Sequence, residues 1–286
     1  MSVIRDAKVK RPDGKPYKFH IERYESAMEV VDKCRTRSMT SSNFHDMKNK
    51  SDYDNWDGVG SYEEALQLLH DGYQPTVEKM RGVFKAGKTG ESKRFAFQNS
   101  VVGFSPVVPL ALKGVPNSMI NMTMKPIKAK VVDVYYDMVA SCGTSSEDII
   151  KAGQTLLGTI IELERQGYRF NLYACQTYSD EKDADMLVVK VKDASKPLDL
   201  KRVSFPLTHT AFFRVIGFDW YSKLPGGRYR FAYGHALSYE FKNDSHLKNI
   251  GKQLFGDNTV FLTATKILEM DKDHVKEVLG NGTSKD

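Results

Sequence analysis

The sequence predicts an α/β protein built on a doubly wound, mostly parallel sheet, and three observations carry that expectation. Val131, Val132, Val134, Tyr135 and Tyr136 form a nearly continuous apolar and aromatic run, which suits a central strand covered on both faces. Ile149, Ile150, Gly153, Leu156, Leu157, Ile160, Ile161 and Leu163 then recur at helical spacing and define one broad buried stripe. Beyond Gly167 a second strand runs from Tyr168 to Cys175. Strand, polar loop, helix and strand make one βαβ unit. Its crossover is expected to be right-handed, with helices on both sheet faces.

Inside this unit, Ser145 or Ser146 caps the helix, and Glu147 and Asp148 occupy its first turn, where the dipole favours negative charge. Gly153 and Gly158 are poor helix formers, expected to let the helix lie close against the sheet. Gly167 ends the helix as a left-handed cap. Upstream, residues 1–20 are basic and punctuated by Pro and Gly, which predicts an extended arm or a hairpin. Ala27, Val30, Val31 and Cys34 predict a helix between Glu25 and Arg37. Ser38 to Gly60 reads as a solvated loop. Its acids Asp52, Asp54 and Asp57 surround Trp56 without the ligand order or glycine of a calcium loop.

Ser61-Tyr-Glu-Glu64 is a capping box that opens a short helix ending near Gly72, and a second short helix covers Thr76 to Phe84. Val101 to Pro116 is apolar but broken by Pro106, Pro109 and Pro116, so it is expected to lie buried and irregular across the body. After the βαβ unit come a strand over Ala184–Val191, a helix-like run over Thr208–Leu224 and an aromatic strand over Arg228–Tyr239. A helix over Leu247–Phe255, a buried strand over Thr259–Thr263 and a final helix over Asp273–Leu279 complete the chain. The division expected is a basic, irregular α+β N-terminal region, 1–127, packed on an α/β domain, 128–286.

Composition narrows the class. With 286 residues, 41% of them hydrophobic and no biased tract, the chain is expected to be globular. Cys34, Cys142 and Cys175 have neither metal-type spacing nor an even count, so a reduced compartment is expected. Charges follow Val3 and Ile4 at once, unlike a signal peptide, and no apolar window spans a bilayer. The net charge of +6 is uneven, since residues 1–130 hold 22 Lys+Arg against 15 Asp+Glu and the remainder 20 against 21.

Three sites follow from these residues. Gly82-Val-Phe-Lys-Ala-Gly87-Lys88-Thr89 matches a phosphate-binding loop in letters, but a helical stretch precedes it where a strand should feed it. Lys79, Arg81, Lys85, Lys88, Lys93 and Arg94 are interleaved with Phe84, Phe95 and Phe97, and Arg228, Tyr229, Arg230 and Phe231 repeat the pattern. Single-strand binders combine a positive groove with aromatic platforms in this way. Against that stands the strand period, which would place Arg228 and Arg230 on one face and the aromatics on the other. Catalysis is not expected. The histidines lack zinc spacing, no Gly-x-Ser-x-Gly elbow occurs, and His209 lies far in sequence from Ser141-Cys142.

The order of strand, Asp-containing loop, helix, strand and a late strand near residue 260 resembles the von Willebrand factor A-like fold over roughly residues 128–279. That resemblance implies a metal loop of the form Asp-x-Ser-x-Ser. Here the loop reads Asp137-Met-Val139-Ala-Ser141, with Thr208 in place of the downstream Thr and no late Asp after Leu262. It implies a degenerate site of Asp137, Ser141 and Thr208, without metal or other cofactor. Ser61-Tyr-Glu-Glu-Ala-Leu and Gly114-Val-Pro-Asn-Ser-Met119 also resemble an uncharacterised bacteriophage protein family, which implies a phage origin and the host cytoplasm. The function expected is a non-enzymatic phage protein that binds nucleic acid, most plausibly single-stranded DNA, in viral transcription or replication. Its alternatives are an adaptor on a viral or host protein complex, and a nucleotide hydrolase using residues 82–89. No membrane partner is expected.

Overall fold

A computed structural model of the chain describes residues 3–11, 13–40, 46–54, 56–85, 93–126, 130–141, 143–225, 235–241 and 243–281. In chain order, β1 (Val3–Lys10), β2 (Pro16–Tyr24), α1 (Ala27–Arg35), α2 (Tyr62–Asp71) and α3 (Gln74–Lys85) come first. Then follow β3 (Lys93–Ser100), β4 (Ser105–Pro106), α4 (Val108–Leu112) and β5 (Met119–Pro126). The βαβ unit is β6 (Lys130–Asp137), α5 (Ser146–Arg165) and β7 (Tyr168–Ser179), and β8 (Asp183–Lys192) returns beside it. The rest comprises α6 (Leu200–Thr208), a π-helix over Phe212–Gly217, α7 (Phe218–Ser222), β9 (His235–Ala236), α8 (Leu237–Glu240), α9 (Asp244–Phe255), β10 (Thr259–Thr263), α10 (Ala264–Glu269) and α11 (Lys272–Gly280).

The main sheet has the order β1-β2-β8-β7-β6-β10, with β9 added to β7. Only β10, β6 and β7 run parallel to their neighbours as a group. β8 is antiparallel to β7, β2 is parallel to β8, and β1 is antiparallel to β2. The sheet is therefore mixed, and the expected doubly wound, mostly parallel, von Willebrand factor A-like sheet is corrected. The reason is local. Asp180, Glu181 and Lys182 alone separate β7 from β8, far too few residues for a parallel crossover. The Asp180 carboxylate fixes that turn, accepting from the amides of Lys182 (2.8 Å) and Asp183 (2.9 Å). The apolar runs report that both sheet faces are covered; they do not report strand direction.

Strands from both halves of the chain share this sheet, because Lys18–Tyr24 lie in register beside Asp183–Val189. A buried carboxylate anchors that junction. Glu22 takes two hydrogen bonds from Arg37 (2.9 and 2.8 Å), one from the Tyr24 hydroxyl (2.6 Å) and one from Trp220 Nε1 (2.8 Å). Burial pushes its pKa upward, but the hydrogen bonds of His20, Arg37, Tyr24 and Trp220 outweigh it and hold the carboxyl well below the usual range.

Two cores lie on opposite faces of the sheet. One collects α5, α6, α10, α11 and the π-helix; the other collects Phe19, Tyr135, Tyr173, Phe261 and the apolar side of α9. Ser145 caps α5, accepting from the amide of Asp148 at 3.1 Å, and Gly167 follows the helix with φ +95°. The two helix glycines differ from expectation. A Cβ on Gly153 would collide with the Leu207 carbonyl, so this glycine admits α6 rather than the sheet, whereas Gly158 has open space. Gly217 ends the π-helix where a Cβ would strike Gln176 and Tyr178. The side-chain amide of Gln176 in turn donates to Phe212 O at 2.9 Å.

Candidate functional site

Residues 93–126 form a separate sheet of order β3-β5-β4. β3 and β5 pair over their full length, from Lys93 opposite Pro126 to Ser100 opposite Met119. The turn back is tight: Phe104 N–H donates to Ile120 O (2.9 Å), Val107 N–H donates to Ser118 O (2.7 Å), and a Cβ on Gly103 would collide with the Ile120 carbonyl. Backbone order is thus supplied within the arm itself.

Its side chains behave otherwise. Among the side chains described over 96–123 none enters either core, and Phe97 (67% exposed), Val101, Val102, Phe104 (67%), Val108 and Leu112 (83%) face outward. The Phe97 and Phe104 rings meet edge to face at 6.1 Å, with Met122 opposite Phe97 on the neighbouring strand. The expectation that Val101–Pro116 lies buried is overturned: hydrophobicity alone does not say whether an apolar run is covered by its own chain or left for another. The stretch is also free of acids, since no Asp or Glu occurs between Glu91 and Asp133, while Lys93, Arg94, Lys113, Lys125, Lys128 and Lys130 fall within it.

The basic residues expected to bind nucleic acid are only partly placed. Lys79 and Arg81 are exposed on α3, where the Lys79 ammonium donates to Gln154 Oε1 of α5. Lys85 ends α3, and Lys93 and Arg94 open β3 opposite Pro126 and Lys125. Lys88, Arg228, Tyr229, Arg230 and Phe231 lie outside the described residues. Gly82–Lys85, the start of the phosphate-loop match, occupy the last turn of α3, which places helix where that motif requires a strand.

The three residues of the degenerate metal loop each have hydrogen-bond partners of their own. Asp137 ends β6, fully buried, and its Oδ1 accepts from the amides of Val139 (3.1 Å) and Thr177 (3.3 Å). Among the described residues its Oδ2 has no partner in full hydrogen-bonding geometry, with the Thr177 hydroxyl its polar neighbour. Burial pushes the Asp137 carboxyl up to about 7, against the opposing pull of the Thr177 side chain and the two amides. Ser141 is exposed and meets Thr144 at 3.4 Å. Thr208 donates to Ser204 O at 2.6 Å and meets Thr76 at 3.1 Å, so it serves the contact of α6 with α3. No group of three His, Cys, Asp or Glu side chains suited to a metal occurs among the described residues. His209 Nδ1 accepts from Ala211 N–H (3.2 Å), and burial draws its pKa down to about 4, so the ring is a neutral core group.

Sequence reasoning missed Arg214 and the buried state of Asp57. Arg214 is buried in the π-helix, stacks its guanidinium 4.2 Å from the Trp56 ring centroid, and donates to Trp56 O, Ser146 Oγ (3.0 Å) and Thr144 O (3.3 Å). It clamps the 46–60 loop over the head of α5. Asp57, expected in solvent, is buried and paired with Lys50. Neither has a periodic signal: Arg214 meets partners 68 or more positions away, and Asp57 meets Lys50 and Asp54 through the irregular course of its own loop.

No helix among the described residues is long and apolar enough to cross a membrane. No curated protein and no solved structure matches the chain. A family model described as "Domain of unknown function (DUF7192)" matches residues 8–270, and with that share of its length covered the chain belongs to this family.

Proposed function

We propose that this protein is a non-enzymatic adaptor that docks onto a protein complex through the β3-β5-β4 arm. The observation that carries the reading is a hydrogen-bonded sheet from which Phe97, Val101, Val102, Phe104, Val108 and Leu112 face outward, none of them in either core. Covering six such side chains releases on the order of 10 kcal/mol, before the entropy of association is subtracted. A setting in the host cytoplasm, during phage development, accords with the family resemblance drawn from the sequence. The test is a photo-crosslinking residue at Leu112, with one at the exposed Tyr239 as control, in the cell that makes the protein. A discrete partner is expected from Leu112 and not from Tyr239, and it should disappear with Phe97→Ser and Phe104→Ser together. Equal labelling from both positions would end the adaptor reading.

A second reading, single-stranded DNA binding, is favoured by the acid-free, basic stretch around the exposed Phe97–Phe104 pair. Anisotropy of a labelled oligonucleotide decides it. Binding that is tight at low salt and collapses at high salt supports DNA; an absence of binding at low salt discards it.

A further inference from the structure

β10 is the last strand of the main sheet, yet its residues are only 1–7% exposed. Helices account for this. Phe261 belongs to the core beneath α9, while Val260 and Leu262 belong to the opposite core with α5, α10 and α11. The strand is clamped between two helical layers, and a groove of about 500 Å³ runs along its free edge. That volume lies within the usual range of ligand sites.

Asp133 N–H donates to Asn258 O at 3.4 Å, so by the alternation of a parallel ladder Asn258, Val260 and Leu262 turn their polar groups to β6. Thr259 and Phe261 turn theirs into the groove, joined by the Thr263 N–H, while the Thr263 carbonyl begins α10. No strand among the described residues pairs with that side of β10. Such an edge accepts one kind of occupant by its chemistry, an extended backbone with matching donors and acceptors.

We propose that this groove binds an extended peptide segment of a partner protein as an added strand beside β10, with acidic side chains on the α9 side and apolar ones opposite. Lys248 and Lys252 of α9 line one wall, and Met270 and Val278 line the other. On the α9 wall Lys248 and Lys252 stand against Asp257 alone, which favours acid over base in the ligand on that side, while Lys266 opposite is taken by Glu269 (2.6 Å). A second copy of the chain is a poorer occupant, because its own β10 edge is recessed between the same helices. The site is separate from the arm, and its test is independent of the adaptor reading.

The probe is a fluorescent hexapeptide alternating Glu and Val, titrated into the full chain by anisotropy. Saturable binding is expected, with amide exchange at Phe261 and Thr263 slowed on binding. N-methylation of alternate peptide amides, which removes the pairing donors, should weaken it about tenfold, and so should Lys248→Glu with Lys252→Glu. Both lysines are exposed on α9, so this variant leaves the fold intact. Leu112→Ser, on the arm, should leave peptide binding unchanged. The proposal is overturned by an absence of binding at millimolar peptide, or by binding indifferent to N-methylation. It is equally overturned if the same amides are protected by dimer formation without peptide.

Discussion

Asp137→Asn tests the electrostatics of the sheet's interior. The wild-type carboxyl is buried, has one oxygen without a partner in full hydrogen-bonding geometry, and titrates at about 7 rather than 3.8. An acid whose pKa is raised by folding binds its proton more tightly in the native state. Stability from this group is therefore full below the unfolded value and is lost as pH climbs through about 7. The loss amounts to about 4 kcal/mol, at about 1.4 kcal/mol for each tenfold change in proton binding. Asparagine keeps an Oδ1 acceptor for the Val139 and Thr177 amides and has no proton to lose. Its Nδ2 replaces that second oxygen, beside the Thr177 hydroxyl. Urea unfolding followed by the fluorescence of Trp56 and Trp220, at pH values from 5 to 8, gives the difference between the two proteins directly. That difference should already favour Asn by about 1.5 kcal/mol at pH 5 and level off at about 4 kcal/mol by pH 8. A pH-independent difference, or a variant less stable at pH 8, would refute the reasoning, since it would require a charged carboxylate with a counter-ion in the folded protein.

Other consequences are simpler to measure. Glu22→Gln leaves the half-buried Arg37 without its counter-charge and should lower stability by about 3 kcal/mol at neutral pH. Because the Glu22 carboxyl is held below its ordinary value, the gap between wild type and variant should shrink as pH falls below the carboxylate range. Two alanines in α5 should act with opposite sign. Gly158→Ala, with room for its methyl, should stabilise by up to about 1 kcal/mol, while Gly153→Ala should destabilise by about 1–3 kcal/mol because α6 must retreat from the Leu207 contact; thermal melts separate them. Phe104→Ser and Leu112→Ser should change unfolding stability by less than about 0.5 kcal/mol while reducing binding of a hydrophobic dye, and a large loss of stability would mean that the arm is packed by its own chain.

Local signals in this sequence were read well where the physics is local. Ser61 and Ser145 cap the helices their spacing promised, Gly167 follows α5 in the left-handed region, and the strand residues Val132, Val134, Tyr135 and Tyr136 and Thr259–Thr263 are buried, though Val131 at the start of its run is half exposed. Ser61 departs in one detail: Glu64 reaches back to the Gly60 amide rather than to that of Ser61. Strand direction was not legible, because β8 has the same β-branched, apolar character whichever way it runs, and the short Asp180 turn decided the matter. The same limit governs the arm. Val101, Val102 and Leu112 are as hydrophobic as any core residue, and only the fold shows that they stand exposed among the described residues. Arg214 and Asp57 look like surface charges until Trp56 and Lys50 are brought to them.

The place of β2 in the sheet also sets an order of events during synthesis. Lys18–Tyr24 leave the ribosome long before Asp183–Val189, the segment they pair with, so the first hairpin must wait while most of the chain is made. Contacts so distant along the chain are slow to form, and a waiting hairpin presents an open edge to other nascent chains. The unit β6-α5-β7-β8 is contiguous and can assemble as soon as it emerges. The first strands to be translated are thus among the last to be seated, and refolding yield should depend on protein concentration more steeply than final stability does.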